Sequence, residues 1–363
     1  MKLLMLTKRF GSGKDAILED FGRQVRLAET LVKLGNKVDL IAADYVKNQR
    51  FKKSLNGINV TVTPFGLFSF PGYIAKLRKK IRNGNYDAII ASSDPIFGIA
   101  AYMAGQKTPI IYDAQDNYLT YKSSKLLFIR ILEKKVLKKA LLVTAVSKPL
   151  QDEIKKYNKE IIVIENGIDP KRIRPLSQTK SRKKYGLPEK AIIIAYAGSD
   201  DPQKVSIDFI IKSYNLLKQK HKNLCLLLIG NGNKAKVSKD KDNKGIIAFD
   251  SVSYSSLMEL LSSADVFLLP YKDTPFTRMS MPYKLSEYMA FSKPIVCSGF
   301  GDMKSFLKNT PQLIYEPDNT NDFIKKTELA LKIKKIDYSK QLQKLRWGNI
   351  ADKLNKKIYS LLK

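Results

Sequence analysis

Residues 266–298 read VFLLPYKDTPFTRMSMPYKLSEYMAFSKPIVCS and give the clearest indication of the architecture. An apolar run leads into a polar loop that ends at Met281, and a helix is expected over residues 282–291, followed by a second apolar strand over 294–298. Pro282 fits the first turn of that helix, whose unpaired backbone N–H groups favour an anion. A buried strand, a helix and another buried strand predict one βαβ unit of a parallel sheet.

The same alternation of apolar runs and amphipathic stretches extends over all 363 residues. It predicts an α/β fold of two doubly wound, Rossmann-like domains that face each other across a cleft, where ligands of such folds bind. Residues 166–190 lose the apolar period and are interpreted as a linker. The predicted domains are residues 1–168, residues 169–340 and a C-terminal segment, residues 341–363, within a helix expected over 338–362.

The individual strands and helices follow from the same pattern. Helical spacing of apolar residues from Ile17 to Leu34 predicts the first helix, which Gly35 would end. Later helices are expected near 204–220, 254–263 and 319–333. Strands are expected over 1–7, 38–42, 58–65, 87–92, 109–114, 141–146, 160–165, 191–197, 224–230, 245–250, 266–270, 294–298 and 312–316.

Composition narrows the classes of function. The chain has 65 Lys and Arg against 34 Asp and Glu, a net charge of +31, so we expect an anionic partner or surface. With one histidine and two cysteines, a histidine metal site or a Ser-His-Asp triad has almost no residues to draw on and a zinc cluster is not supported, so no metal is expected. The first apolar run is cut off by Lys8 and Arg9, and no run has the length of a spanning helix. We therefore expect an intracellular protein that is soluble or lies on a membrane.

Two loops that contain glycine follow predicted strands. Gly11 and Gly13 precede the first predicted helix, where glycine allows close approach of a ligand and a helix N-terminus favours an anion. The loop lacks the Gly and the Ser or Thr that a Walker A motif requires, and an ordinary tight turn is the alternative. In the second domain, Gly198 precedes Lys204, whose ammonium is suited to a diphosphate. A solvated surface lysine is the alternative there.

Glu287 lies about one and a half turns into the helix predicted over 282–291, among apolar neighbours. A carboxylate at this position is suited to accept two hydrogen bonds from a ribose, as the acidic residue of dinucleotide-binding folds does. The alternative is a glutamate on the helix surface that pairs with Lys284 or Lys293.

After the glycine loop that follows the first strand, the chain carries in order the motifs Asp113-Ala114-Gln115-Asp116, Ala145-Val146-Ser147, Asn166-Gly167-Ile168-Asp169, Gly198 with Lys204, Ile229-Gly230-Asn231-Gly232, Ala264-Asp265-Val266 and Lys284 through Pro294. This order resembles that of family 4 glycosyltransferases of the group 1 type, over nearly the whole chain. The resemblance implies a GT-B fold whose C-terminal helix, with Trp347 and Tyr359, crosses back to the first domain. It also implies retaining, hexosyltransferase-type transfer from a nucleotide sugar, such as a UDP- or GDP-sugar, without a metal or other cofactor.

The resemblance assigns roles to the matching residues. Glu287 would hold the donor ribose, and Lys204 would meet the diphosphate as a catalytic and donor-binding residue. The remaining donor-binding positions are Gly11 and Gly13 near the donor sugar and phosphate, Gly198 and Ser199 in the second-domain loop, Gly230 where the nucleobase pocket begins, and Tyr283, Lys284 and Leu285 where helix N–H groups meet phosphate.

Two departures from the family pattern concern the donor. Met279 stands eight residues before Glu287, where the family has the first glutamate of its E-x7-E element. Ser199 stands where an arginine usually follows the glycine, and we expect Arg278 or Lys284 to replace that charge.

A third departure concerns the acceptor. The histidine that is common in the family on the acceptor side is missing. Asp116 is therefore the predicted catalytic residue that orients the acceptor hydroxyl, with Asp113 as the alternative.

Two segments of the first domain, 70–86 and 122–139, mix apolar and cationic side chains. Such a surface docks on anionic lipid headgroups, so we expect peripheral association with the cytoplasmic face of a membrane and a lipid-linked or saccharide acceptor. Two ordinary core helices with solvated lysines are the alternative.

Three other functions stay open. One is a phosphorylase or a nucleotide-sugar epimerase of the same fold. Another is a catalytically impaired subunit that binds a partner transferase, because Met279 and Ser199 depart from the family. The third is a nucleic-acid-binding protein, which the net charge favours but the scattered aromatic residues do not, so we expect no nucleic acid partner.

Overall fold

The structure, a computed structural model, describes residues 1–11, 14–105, 107–118, 127–238 and 244–363. The chain divides into two compact units. Unit 1 comprises Met1–Gly167 and Trp347–Lys363, and unit 2 comprises Ile168–Arg346.

Unit 1 contains a sheet in the order β10-β9-β8-β7-β1-β4-β6-β5, parallel except for β5. Its inner strands are buried along most of their length, as their apolar sequences require. The strands of unit 1 are β1 (Lys2–Lys8), β2 (Phe10–Gly11), β3 (Lys14–Asp15), β4 (Lys37–Asp44), β5 (Phe51–Leu55), β6 (Ile58–Pro64), β7 (Ala88–Ser93), β8 (Ile110–Ala114), β9 (Leu142–Ala145) and β10 (Ile161–Val163).

The helices of unit 1 pack on this sheet and on each other. The C-terminal helix, α15, belongs to this unit, as the fold prediction requires. Its apolar stripe, which includes Trp347, Ile350, Leu354 and Ile358, is buried, and α15 contacts α1. The helices are α1 (Arg23–Lys33), α2 (Phe70–Gly84), α3 (Pro95–Ala104), α4 (Leu127–Lys139), α5 (Lys148–Ile154) and α15 (Trp347–Leu362).

Two details of unit 1 differ from the sequence predictions. The first helix begins at Arg23. Ile17 is buried in a turn that is not helical, although its spacing from the later apolar residues matches that of a helix. The expected helix N-terminus at the glycine loop is therefore wrong, and Gly11 lies in the short β2–β3 hairpin instead. Strand β5 was not predicted, although the Asn56-Gly57 turn that joins it to β6 is a hairpin signal.

The strands of unit 2 are β11 (Ile192–Ala197), β12 (Leu224–Ile229), β13 (Ile246–Phe249), β14 (Val266–Leu269), β15 (Ile295–Ser298) and β16 (Ile314–Tyr315). They form a fully parallel sheet in the order β13-β12-β11-β14-β15-β16. The chain adds strands on one side of β11 up to β13 and then on the other side from β14, so the topological switch point of this doubly wound fold lies between β11 and β14. The helices are α6 (Gln178–Lys184), α7 (Ile207–Lys220), α8 (Asn233–Val237), α9 (Tyr254–Leu261), α10 (Pro275–Arg278), α11 (Tyr283–Met289), α12 (Gly301–Phe306), α13 (Thr320–Ala330) and α14 (Ser339–Lys344).

Two predicted segments are organised differently in unit 2. The linker expected over 166–190 contains helix α6, where the Arg182 guanidinium donates to the Ser263 carbonyl and to the Asp265 carboxylate at 2.8 Å. The single helix expected over 338–362 is broken, and α14 ends before Leu345, whose carbonyl accepts a hydrogen bond from the Ile168 N–H at 2.7 Å. Within the described residues, no helix combines the length and apolar character that crossing a membrane requires.

Helix α4 buries one carboxyl group, that of Glu133. Its Oε1 accepts a hydrogen bond from the Tyr112 hydroxyl at 3.0 Å, and its Oε2 has no partner within the described residues. Burial raises the pKa of Glu133 from 4.5 to about 7, against the weaker effects of Tyr112 and Arg130. Below pH 4.5 the carboxyl is protonated in both folded and unfolded chains, whereas between these two pKa values only the unfolded chain ionises. Stability therefore falls as pH rises through this window.

Glu133→Gln is expected to stabilise the protein by about 2 kcal/mol at pH 8, because it removes a carboxylate that must be ionised in the interior. Near pH 4.5 the same substitution should bring no gain. Urea unfolding at both pH values measures the difference, with the surface variant Glu153→Gln as the control. An equal effect of Glu133→Gln at the two pH values would contradict the raised pKa.

Candidate functional site

The candidate donor site of unit 2 lies at the carboxyl ends of β11 and β12. The Gly198 N–H donates to the Ile229 carbonyl at 2.7 Å and extends the pairing of β11 with β12, and the chain bends at Gly198. Gly230 lies against this turn: a Cβ atom on it would come within 2.4 Å of the Gly198 carbonyl oxygen and 2.9 Å of the Ser199 nitrogen. Because those atoms are backbone, only glycine fits at position 230.

Side chains from two helices hold the Gly198 turn in place. The Asn233 amide donates to the Gly198 carbonyl at 3.0 Å, and the Ala197 N–H donates to the buried hydroxyl of Tyr288 at 2.8 Å. The Tyr288 ring in turn stacks on Phe267 of β14, with ring centroids 4.3 Å apart. The turn is therefore fixed before any ligand arrives.

Lys204 follows this turn and precedes α7. Its ammonium lies 3.3 Å from the Asp201 carboxylate and 5.0 Å from the centroid of the Phe276 ring, and the side chain is partly exposed. Its carbonyl accepts a hydrogen bond from the Lys272 N–H at 2.7 Å, which joins the loop after β11 to the loop after β14. Lys204 thus lies at the switch point, with a local carboxylate as its partner.

Lys284, in the first turn of α11, has different surroundings. Its ammonium lies 5.4 Å from the centroid of the Tyr196 ring and 5.7 Å from that of Tyr271, and it is 3.5 Å from the Tyr271 hydroxyl. Burial works to lower the pKa of Lys284, whereas the negative charge that the surrounding tyrosines carry once they ionise raises it, so the pKa lies above its ordinary value and the lysine is protonated at neutral pH. Burial also raises the pKa of Tyr196 to about 12, which keeps that phenol neutral.

The neighbours of Lys284 on α11 contribute less. Leu285 is fully buried and its N–H donates to the Pro282 carbonyl at 3.2 Å, so its side chain serves the core. Tyr283 is half-buried at the start of the helix.

Arg278, the other candidate for the missing charge, is exposed and paired. Its guanidinium binds the Asp273 carboxylate through two nitrogens, one of them at 2.8 Å. Asp273 raises the pKa of Arg278 by this pairing. Ser199 itself is exposed next to Gly198, and Met279 is half-buried at the end of α10. Lys284 is therefore the better placed of the two cations to act at the Gly198 turn.

Glu287 is half-buried on α11, and its carboxylate accepts a hydrogen bond from the Tyr254 hydroxyl at the start of α9. Burial and this carboxylate raise the pKa of Tyr254 above its ordinary value. The sequence pattern does not single out Tyr254. The sequence signal for Tyr254 is its position after the loop that follows β13, because that loop lies at the same edge of the sheet as the candidate site.

The acceptor-side predictions fall in unit 1. Asp113 is buried and accepts hydrogen bonds from Arg23 at 2.8 Å, from the Ser92 hydroxyl at 2.6 Å and from the Thr144 hydroxyl at 2.6 Å. Burial acts to raise the pKa of Asp113, but Arg23 and these hydroxyls hold it below its ordinary value. Asp113 thus joins three strands and α1 as a structural group, and the alternative acceptor role for it is not supported.

The remaining unit 1 candidates are Asp116 and the glycine loop. Asp116 is partly exposed beyond the end of β8. Gly11 pairs with Lys14 in the β2–β3 hairpin, which Arg9 anchors through the Asp15 carboxylate at 2.6 Å. Gly13 lies outside the described residues.

Solved structures of the same fold are similar to this chain over its whole length. Sucrose-phosphate synthase from Thermosynechococcus elongatus has a TM-score of 0.76 and 17% identity, and 99% of each chain is covered. A glycosyltransferase from Rickettsia africae has a TM-score of 0.71 and 17% identity, with 100% of this chain and 98% of that chain covered. HepE from Anabaena in complex with UDP-glucose has a TM-score of 0.71 and 16% identity, with 99% of this chain and 100% of that chain covered.

Two family models match the sequence in succession. The model of Glycosyltransferase Family 4 matches residues 24–172, and that of Glycosyl transferases group 1 matches residues 177–346. No curated protein matches the chain. Together with the two Rossmann-like units, these matches identify the chain as a glycosyltransferase that belongs to family 4, group 1, with the GT-B fold.

Proposed function

We propose that this protein is a retaining glycosyltransferase that moves a hexosyl group from a nucleoside diphosphate sugar to a lipid-linked or saccharide acceptor, in the assembly of a polysaccharide or glycolipid. The observation that carries the proposal is the convergence of Gly198, Gly230, Lys204 and Lys284 at one edge of the unit 2 sheet. Ligands of doubly wound folds bind at this edge. The UDP-glucose bound to the similar HepE structure supports uridine nucleotide sugars as the first donors to test.

In the proposed reaction, the bond between the sugar C1 and the diphosphate oxygen breaks, and a bond from C1 to the acceptor oxygen forms on the same face. The acceptor proton passes to a phosphate oxygen of the leaving nucleoside diphosphate. Lys204 acts as the catalytic cation that neutralises the charge developing on this leaving group. Asp116 orients the acceptor hydroxyl, and the reaction requires neither a metal ion nor an organic cofactor.

Glu287 is proposed to accept hydrogen bonds from the donor ribose, and this role has a direct test. Wild-type protein is expected to bind UDP or GDP more tightly than the matching 2′-deoxy or 3′-deoxy nucleotide by about tenfold or more, because a missing hydroxyl leaves a carboxylate oxygen unpaired. Glu287→Ala should bind all of these nucleotides about equally. Isothermal titration gives the four dissociation constants of each cycle.

The matched control for this test is Glu189→Gln, since Glu189 is exposed in the same unit. This variant should keep the wild-type preference for the ribonucleotide. If Glu287→Ala keeps the preference as well, the ribose role is wrong and Glu287 serves only to fix Tyr254.

A second candidate function is a subunit that binds a nucleotide sugar without transferring it. Met279 favours it, because the chain lacks a carboxylate at that position for the donor sugar hydroxyls. Such a protein would bind the donor but release no nucleoside diphosphate from it with any acceptor or with water.

We also propose that helix α4 docks unit 1 on the cytoplasmic face of an anionic membrane. Leu127, Phe128 and Ile131 are 69%, 58% and 47% exposed, and the exposed cations Arg130 and Lys135 lie on the same helix. Apolar side chains flanked by cations suit an interface of anionic headgroups. Segment 70–86 is instead an ordinary core helix with solvated lysines, because the apolar face of α2 is buried.

Replacing Leu127, Phe128 and Ile131 with serine is expected to lower binding to phosphatidylglycerol vesicles by about tenfold or more, since each apolar side chain contributes to insertion. Vesicle flotation measures the bound fraction of the protein. For the wild type this fraction should also fall as salt concentration rises, because salt screens the cations of α4. The control is Leu216→Ser, an exposed leucine of unit 2. Equal flotation of the triple variant and the wild type would contradict docking through α4.

A further inference from the structure

The surroundings of Lys284 distinguish it from the other cations of the site. Its ammonium is enclosed by the rings of Tyr196 and Tyr271, and no carboxylate of the described residues forms an ion pair with it. Lys204, Lys236 and Arg278, by contrast, each have an aspartate partner within salt-bridge distance. Lys284 is thus a partly desolvated cation whose contacts within the described residues are neutral groups.

A charge in such a position costs free energy that a neutral side chain would not cost. Cation–π attraction to the aromatic faces offsets part of this cost, whereas an anion in contact with the ammonium would offset more. The position of the ammonium is also specific. A Cβ atom on Gly198 would lie 2.7 Å from Nζ, so the ammonium lies directly against the turn that ends β11.

Three elements converge at this point. Tyr196 is in β11, Tyr271 follows β14, and Lys284 is in α11, so the ammonium lies where the strand order of unit 2 reverses. Ligands of such sheets bind outside the carboxyl ends of the strands at the switch point. The cation and the expected ligand position therefore coincide.

We infer that Lys284, held in a cage of tyrosines, is a second cation, beside Lys204, that binds the diphosphate of the donor at the Gly198 turn. This inference rests on the proposed function, because it assigns a residue within the proposed donor site. In this assignment the positive charge at the turn comes from Lys284 on α11, because Ser199, which follows Gly198, carries no charge. Arg278 is exposed and already pairs with Asp273, so it is less well placed for this role than Lys284.

The test compares wild-type protein with Lys284→Met, which keeps the length of the side chain and its packing against the rings. The probes are UDP, GDP, the nucleosides uridine and guanosine, and inorganic diphosphate, each measured by isothermal titration and thermal shift. Lys284→Met should bind the preferred nucleoside diphosphate and inorganic diphosphate about 10- to 100-fold more weakly, as expected for one lost charge-assisted hydrogen bond. Its affinity for the nucleoside should be unchanged.

Thermal unfolding without ligand gives a second, independent readout. A lysine that serves only the fold should lower the melting temperature when it is replaced. If the lysine is paired only when an anion binds, its replacement should leave the melting temperature of the ligand-free protein unchanged or raise it, because the variant removes an uncompensated charge. The control is Lys212→Met, which removes an exposed charge from α7 of the same unit.

The outcomes separate this inference from the proposed function. Weaker diphosphate binding by Lys284→Met without loss of thermal stability supports it. Wild-type binding of UDP or GDP together with equal binding by Lys284→Met overturns the role of Lys284 and leaves the donor site intact. Failure of the wild type to bind any of the nucleotides overturns the proposed function, and the role of Lys284 with it.

Discussion

Gly230→Ala is expected to lower the free energy of unfolding by about 3 kcal/mol and to weaken nucleotide binding by about 100-fold. The added Cβ atom would lie 2.4 Å from the Gly198 carbonyl oxygen and 2.5 Å from its carbon, and neither backbone atom can give way as a flexible side chain would. The Gly198 turn must therefore shift away from its position against Lys284. Urea unfolding measures the first effect, and titration with UDP or GDP measures the second.

The control for this variant is Gly232→Ala, two residues further along the same loop. Gly232 also has a positive φ of 78°, but a Cβ atom on it would meet nothing within 4 Å. This control should lose only about 1 kcal/mol from backbone strain and keep its affinity for nucleotides. If the two variants bind nucleotides equally well, the close approach of Gly230 to Gly198 is not what shapes the donor site.

Arg23→Met is expected to destabilise the protein by about 3 to 5 kcal/mol, because it leaves the Asp113 carboxylate buried without its countercharge. Arg23 donates to Asp113 through Nε at 3.1 Å and through a terminal nitrogen at 2.8 Å, and both side chains are fully buried. Arg23 also donates to the Glu165 carbonyl at 2.7 Å. The substitution therefore also removes a hydrogen bond near Gly167, where the first of the two segments of unit 1 ends. Chemical denaturation at pH 7 measures the change.

The double variant Arg23→Met/Asp113→Asn separates charge from packing. It should be less destabilised than the sum of the two single variants, since it removes the unpaired charge. The deficit of Arg23→Met should also shrink at pH 4, because the Asp113 carboxyl, no longer held at a low pKa by Arg23, protonates in the folded protein. Arg82→Met, at an exposed position of α2, is the surface control. Additive effects at every pH would contradict a coupled buried pair.

The fold was predictable from sequence where burial imposes a simple pattern. Parallel strands covered on both faces are apolar throughout, and β1, β11 and β14 lie within a residue or two of their predicted bounds. Strand β5 is at the edge of its sheet and exposes Lys52 and Lys53, so it has no such pattern. The break between α14 and α15 was missed because Leu342 and Leu345 continue the apolar sequence pattern of the last helix, although α14 itself has no buried residue.

The candidate site was predictable in part, and the reason is again physical. Glycines and lysines near strand ends are visible in the local sequence, and the structure brings Gly198, Gly230 and Lys284 to the same edge of the unit 2 sheet. Their role in binding a ligand stays a prediction. The partners of these groups come from distant elements: Tyr196 and Tyr271 reach Lys284, and Tyr254 reaches Glu287, only through the packing of the sheet and its helices. The choice between Arg278 and Lys284 depends on the ion pair between Arg278 and Asp273, which the sequence does not show.

Unit 2 is proposed to bind a nucleoside diphosphate sugar through the residues at its switch point. The decisive measurement is isothermal titration of the wild-type protein with UDP, GDP and their glucose and mannose conjugates, in buffer that contains EDTA. We expect saturable binding of one nucleoside diphosphate per chain, competition by the matching nucleotide sugar, and no requirement for a metal ion. Absence of binding by a folded protein at millimolar concentrations of every nucleotide would contradict it.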